Sequence, residues 1–157
     1  MNGKRRDALK AGGGVTLLAL LAATGWLVPR SAHAQAWNKA AFDAKSVDDA
    51  EKAMGGNQVT PSKDIAFVST PDIAENGAVV PVGITSAIPK TESIAILVEK
   101  NPNMLAAVFD IPAGTDPAIS TRIKMGQSSN VYALVKADGK YYSAVKEIKV
   151  TLGGCGG

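Results

Sequence analysis

The only cysteine of the chain, Cys155, lies within a glycine tail at the C-terminus, Gly153-Gly154-Cys155-Gly156-Gly157. A cysteine thiol can form covalent bonds to sulfur, and glycine leaves the backbone around it free to adopt many conformations. A buried structural cysteine is not expected in these surroundings. The residues therefore predict a thiol on a flexible arm that can enter a narrow cleft on another protein.

The N-terminus has the order of an export signal: basic residues, an uncharged stretch at 11–28 and a small-x-small cleavage site at Ala32 and Ala34. We therefore predict a signal peptide over residues 1–34. The alternative is an N-terminal membrane anchor, because residues 11–28 are near the lower length limit for a spanning helix.

The signal also matches the twin-arginine pattern, whose substrates are exported folded. The matching residues are Arg5, Arg6, Leu9 and Lys10. Ala8 departs from the pattern, because a bulkier residue usually stands there. We predict a periplasmic protein, with no membrane contact after cleavage.

Removal of residues 1–34 changes the composition of the chain. Lys+Arg falls to 12 (17 minus 5) and Asp+Glu to 13 (14 minus 1), so the net charge becomes −1. The basic charge belongs to the signal and does not indicate nucleic-acid binding. The single histidine, His33, also leaves, which excludes a Cys–His pair and the commonest general base from the mature chain. We predict a carrier that is not an enzyme, with no catalytic residue, no metal and no cofactor.

The mature chain changes pattern near Pro61. Residues 35–60 predict a helical segment, in which Ser46 has the character of an N-cap and Gly55-Gly56 ends a short helix. Residues 61–152 contain seven short apolar or alternating runs, separated by turn residues that include Asn76-Gly77 and Asp138-Gly139. The pattern predicts an all-β domain, an immunoglobulin-like antiparallel β-sandwich, followed by the arm at 153–157.

The seven runs are 65–70, 78–85, 94–99, 105–111, 118–124, 130–136 and 141–152. The last of them alternates over its whole length and leads directly into the arm. A strand of this length would project the arm from the domain in a fixed direction. Activation of the thiol would have to come from a partner, because no basic side chain lies near Cys155 in the sequence.

Several segments accompany the glycine tail: Arg-Arg-Asp-Ala-Leu-Lys at 5–10, Pro-Asp-Ile-Ala-Glu-Asn-Gly at 71–77, Val-Val-Pro-Val at 79–82 and Lys-Val-Thr-Leu at 149–152. Together with the tail they closely resemble the SoxY family, the sulfur-carrier subunits of the periplasmic thiosulfate-oxidising (Sox) system. The resemblance implies that Cys155 holds thiosulfate-derived intermediates, while Gly153, Gly154, Gly156 and Gly157 give the arm its flexibility.

The same resemblance implies a heterodimer with a SoxZ-like subunit that is exported together with the folded partner. It also implies three further partners: a c-type cytochrome that attaches thiosulfate, a hydrolase that releases sulfate, and a molybdenum–haem dehydrogenase that oxidises the remaining sulfane sulfur.

Other interpretations of the tail stay open from the residues alone. The chain could be an exported structural or adhesion module that forms an intermolecular disulfide through Cys155. The tail could be a frayed terminus. A ubiquitin-like carrier would be activated at the Gly157 carboxylate by ATP, but an export signal takes the chain away from ATP.

Overall fold

The structure, a computed structural model, describes residues 38–151. Two short helices, α1 (Lys39–Asp43) and α2 (Val47–Ala53), precede the strands. The strands are β1 (Val59–Pro61), β2 (Ile65–Val68), β3 (Ile73–Ala74), β4 (Val80–Ser86), β5 (Thr91–Val98), β6 (Leu105–Asp110), β7 (Ala118–Ile123), β8 (Ser129–Ala137) and β9 (Lys140–Val150). Each of the seven predicted strand regions overlaps one of these strands, and β1 and β3 are additional.

The strands form two sheets. The larger has the order β1-β9-β8-β5-β6, and β3 also pairs with β9; the smaller has the order β2-β4-β7. All pairs are antiparallel except β1 with β9 and β3 with β9, which are parallel. The predicted all-β, immunoglobulin-like sandwich is confirmed, with the parallel additions along one edge of β9.

Alternating residues of both sheets fill the space between them. This core includes Ile84 from the smaller sheet and Ile94, Ile96 and Val135 from the larger one, all of them fully buried. Phe67 and Phe109 pack against it. Because side chains alternate across a strand, the same strands also present apolar residues on the outer face of the larger sheet.

The two helices cover that outer face. Ala41 and Ala50 pack with Leu97, Leu134 and Tyr141 in a second apolar cluster. The Tyr141 hydroxyl donates to the Met54 carbonyl oxygen at 2.5 Å, which ties β9 to the end of α2. Tyr142, the next residue, packs against the core between the sheets. The two tyrosines thus lie on opposite faces of β9, and each is covered.

The ends of α2 follow the predicted signals. The Ser46 hydroxyl accepts from the Asp49 N–H at 3.0 Å, as an N-cap does. At the other end Gly55 has φ +98°, and Gly56 donates to the Glu51 carbonyl at 2.8 Å. This bond, with the one from Gly55 to Lys52, forms a Schellman motif.

The two predicted turns differ in outcome. Asp138 and Gly139 have φ values of 48° and 73° and join β8 to β9 in a tight hairpin, as predicted. Asn76-Gly77 is not a hairpin turn, because β3 pairs with β9 and β4 pairs with β2 and β7. The Asn76 side chain instead accepts from the Ala78 N–H at 2.9 Å within a loop.

Candidate functional site

The residues predicted to carry the chemistry lie outside the described part of the chain. These are the attachment residue Cys155 with Gly153, Gly154, Gly156 and Gly157, and the signal residues Arg5, Arg6, Leu9, Lys10, Ala32 and Ala34. Their predicted roles therefore stay predictions. The structure describes the strand that leads to the arm, up to Thr151.

That strand, β9, lies inside the larger sheet, between β8 on one side and β1 and β3 on the other. β8 pairs with it from Lys140 to Ile148, where the regular ladder ends at Ser129. The residues of β9 after Ile148 have no partner in this ladder, so any hydrogen bonds that hold their backbone must come from other groups. Both edges of the strand provide such groups.

On one edge, β3 and the residue that precedes it hold the end of β9. The Lys149 N–H donates to the Asp72 carbonyl at 2.9 Å, and the Thr151 N–H donates to the Ala74 carbonyl at 3.0 Å. Ala74 is buried in the core between the sheets, which fixes β3 against the domain. The hydrogen-bonded backbone thus reaches Thr151, one residue beyond β9.

On the opposite edge, a serine side chain takes over where β8 ends. The Val150 N–H donates to Ser128 Oγ at 2.9 Å. A side-chain oxygen here replaces the backbone carbonyl that a longer β8 would offer. Val150 is therefore bonded on one edge while Lys149 and Thr151 are bonded on the other. We call residues 70–77 together with Ser128 the clamp.

Lys146 fixes the beginning of the clamp from within β9. Its Nζ donates to the Thr70 carbonyl at 2.5 Å and lies 3.0 Å from an Asp72 carboxylate oxygen. Because Asp72 is largely exposed, this ion pair contributes little to stability. The bond to the Thr70 carbonyl joins the lysine to a segment that is itself held, since the Thr70 hydroxyl accepts from Gly83 N–H at 3.0 Å.

Gly77 ends the clamp at a close approach between backbones. The Met125 N–H donates to the Gly77 carbonyl at 2.7 Å. A Cβ on Gly77 would lie 2.4 Å from the Met125 carbonyl oxygen and 2.9 Å from Val150 Cγ1. Only glycine fits here without displacing its neighbours, and one of those neighbours is a residue of β9 next to the arm.

Sequence reasoning singled out residues 71–77 through the family resemblance and predicted a turn at Asn76-Gly77, but it gave this segment no role in holding β9. In the structure the four residues 72–75 form or border β3, the strand that pairs with β9. Sequence reasoning did not single out Ser128, and it placed Lys146 only among the basic residues of a solvated strand face. A single side-chain bond between residues 22 positions apart (150 minus 128) leaves no periodic trace in a sequence.

An acidic groove lies on another part of the larger sheet, between α2 and the strands. It has a volume of about 460 Å³, and its lining includes Asp48, Glu51, Glu99 and Tyr132. Burial, and then the Asp48 charge, raise the pKa of Glu51. Burial, and then the Glu99 charge, raise the pKa of Tyr132.

Neither metal ligation nor membrane spanning is indicated in the described part of the chain. Among residues 38–151, no group of three or more His, Cys, Asp or Glu side chains is placed to hold a metal ion. Over the same residues, no helix has the length and apolar character needed to cross a membrane.

Comparison with known families identifies the chain. The family described as "Sulfur oxidation protein SoxY" matches residues 50–155, about two thirds of the sequence. The chain belongs to the SoxY family. The match includes the clamp, β9 and Cys155, so the SoxY relationship covers both the described base of the arm and the predicted attachment residue.

A solved structure of a SoxY protein agrees with the family assignment. The sulfur carrier protein SoxY from Chlorobium limicola f thiosulfatophilum is 36% identical, with a TM-score of 0.60 over 67% of this chain and 94% of that one. The superoxide reductase (neelaredoxin) from Ignicoccus hospitalis T24K is 17% identical, with a TM-score of 0.49 over 68% of this chain and 93% of that one. A comparison with curated protein sequences gave no significant match.

Proposed function

We propose that this SoxY-family protein is a covalent carrier of sulfur substrate in thiosulfate oxidation, with Cys155 as the attachment residue. The observation that carries the proposal is the family match, which extends through residue 155 and therefore includes the only cysteine of the chain. Support also comes from β9, whose bonded backbone reaches Thr151, four positions before Cys155 (155 minus 151).

The chemistry begins with an oxidative coupling. The Cys155 thiol and thiosulfate form a sulfur–sulfur bond, giving the cysteine S-thiosulfonate, one proton and two electrons, which a c-type cytochrome accepts. Water then cleaves the terminal sulfonate as sulfate and leaves a persulfide on Cys155. Each step needs an active site on a partner, because an unactivated thiol is mostly protonated at neutral pH.

The remaining sulfane sulfur follows the same route. A molybdenum–haem dehydrogenase removes six electrons from the persulfide while three water molecules supply the oxygen atoms of a new sulfonate. A second hydrolysis releases sulfate and restores the thiol. The carrier therefore contributes attachment and presentation, and the partners contribute catalysis, the oxidants and the water activation.

The proposed organisation follows from these roles. Residues 1–34 are a twin-arginine signal, residues 35–60 a helical segment, residues 61–152 the sandwich and residues 153–157 the arm. The mature protein works in the periplasm as a heterodimer with a SoxZ-like subunit. Support comes from the order of features in the signal and from the absence of histidine after residue 34.

The test is the intact mass of the protein isolated from cells that oxidise thiosulfate, before and after reduction. We expect reducible sulfur or thiosulfonate adducts that map to the C-terminal peptide. Cys155→Ser should fold with an unchanged melting temperature, carry no adduct and lose thiosulfate-dependent turnover in a reconstituted system. Turnover retained by Cys155→Ser, or a chain found only as a clean thiol or a disulfide dimer, would overturn the proposal.

A further inference from the structure

We propose that the clamp sets the point at which the arm leaves the domain, and that Ser128 and Lys146 are positioning residues for the Cys155 thiol. This inference rests on the proposed carrier function. It concerns the described residues at the end of β9, where two edges of the strand are held by groups outside the regular β8 ladder.

The clamp continues the hydrogen bonding of β9 beyond the end of β8. The last β8 pair joins Ser129 to Ile148. Beyond it, Lys149 and Thr151 bond to β3, and Val150 bonds to the Ser128 hydroxyl. We call the last residue whose backbone is held by the domain the pivot of the arm. Loss of these bonds would move the pivot from Thr151 back to Ile148.

The position of the pivot decides how far the thiol can move. With the clamp closed, Thr151 is the last residue with a described backbone bond, and the four residues from there to Cys155 could span at most about 14 Å. If Val150 and Thr151 were released, Lys149 would be the last bonded residue, and the six residues from there to Cys155 could span at most about 21 Å. Effective concentration falls with roughly the −3/2 power of tether length, so release lowers the concentration of thiol at a partner's cleft about twofold.

β3 cannot hold β9 by itself, because it has only two residues. Its upstream side is fixed by Lys146, which bonds the Thr70 carbonyl, and its downstream side by Gly77, which is bonded to Met125. By the alternation of β9, Lys146 lies on the same face as Ala144 and Ile148, which pack in the core between the sheets. Its ammonium group lies at the edge of the sheet, where it contacts Thr70 and Asp72.

The decisive variant is Ser128→Ala, which removes the hydroxyl that holds Val150. Ser128→Thr keeps a hydroxyl and should restore the effect. Ser129→Ala is the matched control, because the neighbouring hydroxyl accepts from the Lys100 N–H at 3.0 Å and has no described bond to β9. The full protein is used throughout.

Two readouts do not depend on sulfur chemistry. Hydrogen–deuterium exchange of the C-terminal peptide reports on the Val150 amide, which loses its acceptor in Ser128→Ala and which we expect to exchange about fivefold faster there. A nitroxide attached to Cys155 reports on the arm, and its spectrum should show greater mobility in Ser128→Ala but not in Ser129→Ala. A third readout, the KM for the protein in thiosulfate-dependent turnover, should rise by at most about twofold with kcat unchanged, and the full change needs Thr151 to be released together with Val150.

Unchanged exchange in Ser128→Ala would overturn the clamp itself. Faster exchange with an unchanged nitroxide spectrum would also overturn the inference, because the hydroxyl would then hold the strand without positioning the thiol. Turnover that persists in Cys155→Ser would show separately that the carrier function is wrong. In that case hydrogen–deuterium exchange and the nitroxide spectrum would still test the clamp.

Discussion

The substitution Gly77→Ala tests the close approach on which the clamp depends. The added methyl group would lie 2.4 Å from the Met125 carbonyl oxygen and 2.9 Å from Val150 Cγ1. The first neighbour is backbone, and it is held in place because the Met125 N–H donates to the Gly77 carbonyl. A rotamer change cannot relieve this contact, so the β3–β4 loop or the loop after β7 must move.

Two opposing effects determine the size of the loss. Replacing glycine by alanine reduces the entropy of the unfolded chain and alone would stabilise the protein by about 0.4–1 kcal/mol. Overpacking a site that cannot relax costs about 1–3 kcal/mol. The clash should therefore dominate, with a net loss of about 1–2 kcal/mol, which lowers the melting temperature by roughly 4–10 °C in a domain of this size.

Thermal and urea unfolding of the purified protein measure this loss. Gly126→Ala is the matched control, because it lies in the loop that faces Gly77 and a Cβ there would meet nothing within 4 Å. We expect Gly126→Ala to be unchanged or slightly more stable. Equal stability of the two variants would refute the reasoning, since it would mean that the loops around Met125 move apart at no cost.

Two further predictions concern the helical layer. Tyr141→Phe removes the bond to the Met54 carbonyl and should lower the free energy of unfolding by about 0.5–1.5 kcal/mol in urea titrations; an unchanged value would show that water replaces the hydroxyl. Burial, and then the Asp48 charge, raise the pKa of Glu51 in the folded protein. Above this raised pKa the carboxylate is ionised and lowers the free energy of unfolding. Below the pKa of Glu51 in the unfolded chain the carboxyl group is protonated in both states, and this loss of stability disappears. Glu51→Gln should therefore raise the melting temperature at neutral pH, and this gain should shrink as the pH falls through the raised pKa. Glu147→Gln is the control for the loss of one negative charge. A gain in melting temperature that does not depend on pH would contradict the prediction.

The strands that build the sandwich could be predicted because each has its own local signal. Asp138-Gly139 specified a hairpin because both residues adopt positive φ in the two-residue turn between β8 and β9. The same reasoning failed at Asn76-Gly77, where the segments on either side pair with other strands. There the glycine is needed for the close approach to Met125, and a dipeptide signal cannot distinguish these two uses of glycine.

The strands β1 and β3 escaped prediction for a related reason. They have three and two residues, and β1 ends in Pro61, so neither shows an alternating pattern of useful length. Their pairing is parallel and is determined by β9. The arm could be proposed from composition alone, because Cys155 and its glycines are contiguous, and it stays a prediction. The clamp could not be proposed in this way, because it is assembled from residues far apart in the chain.

The interior position of β9 has a consequence for the order in which the protein folds. Val59 pairs with Tyr141, 82 positions later (141 minus 59), so the larger sheet depends on contacts of high sequence separation, which form slowly. Until β9 is in place, β1 and β3 lack the strand with which they pair. The C-terminal end of β9 is therefore held by the clamp only after the larger sheet has formed. A partner that contacts this end would distinguish a finished protein from a folding intermediate before it reached the thiol.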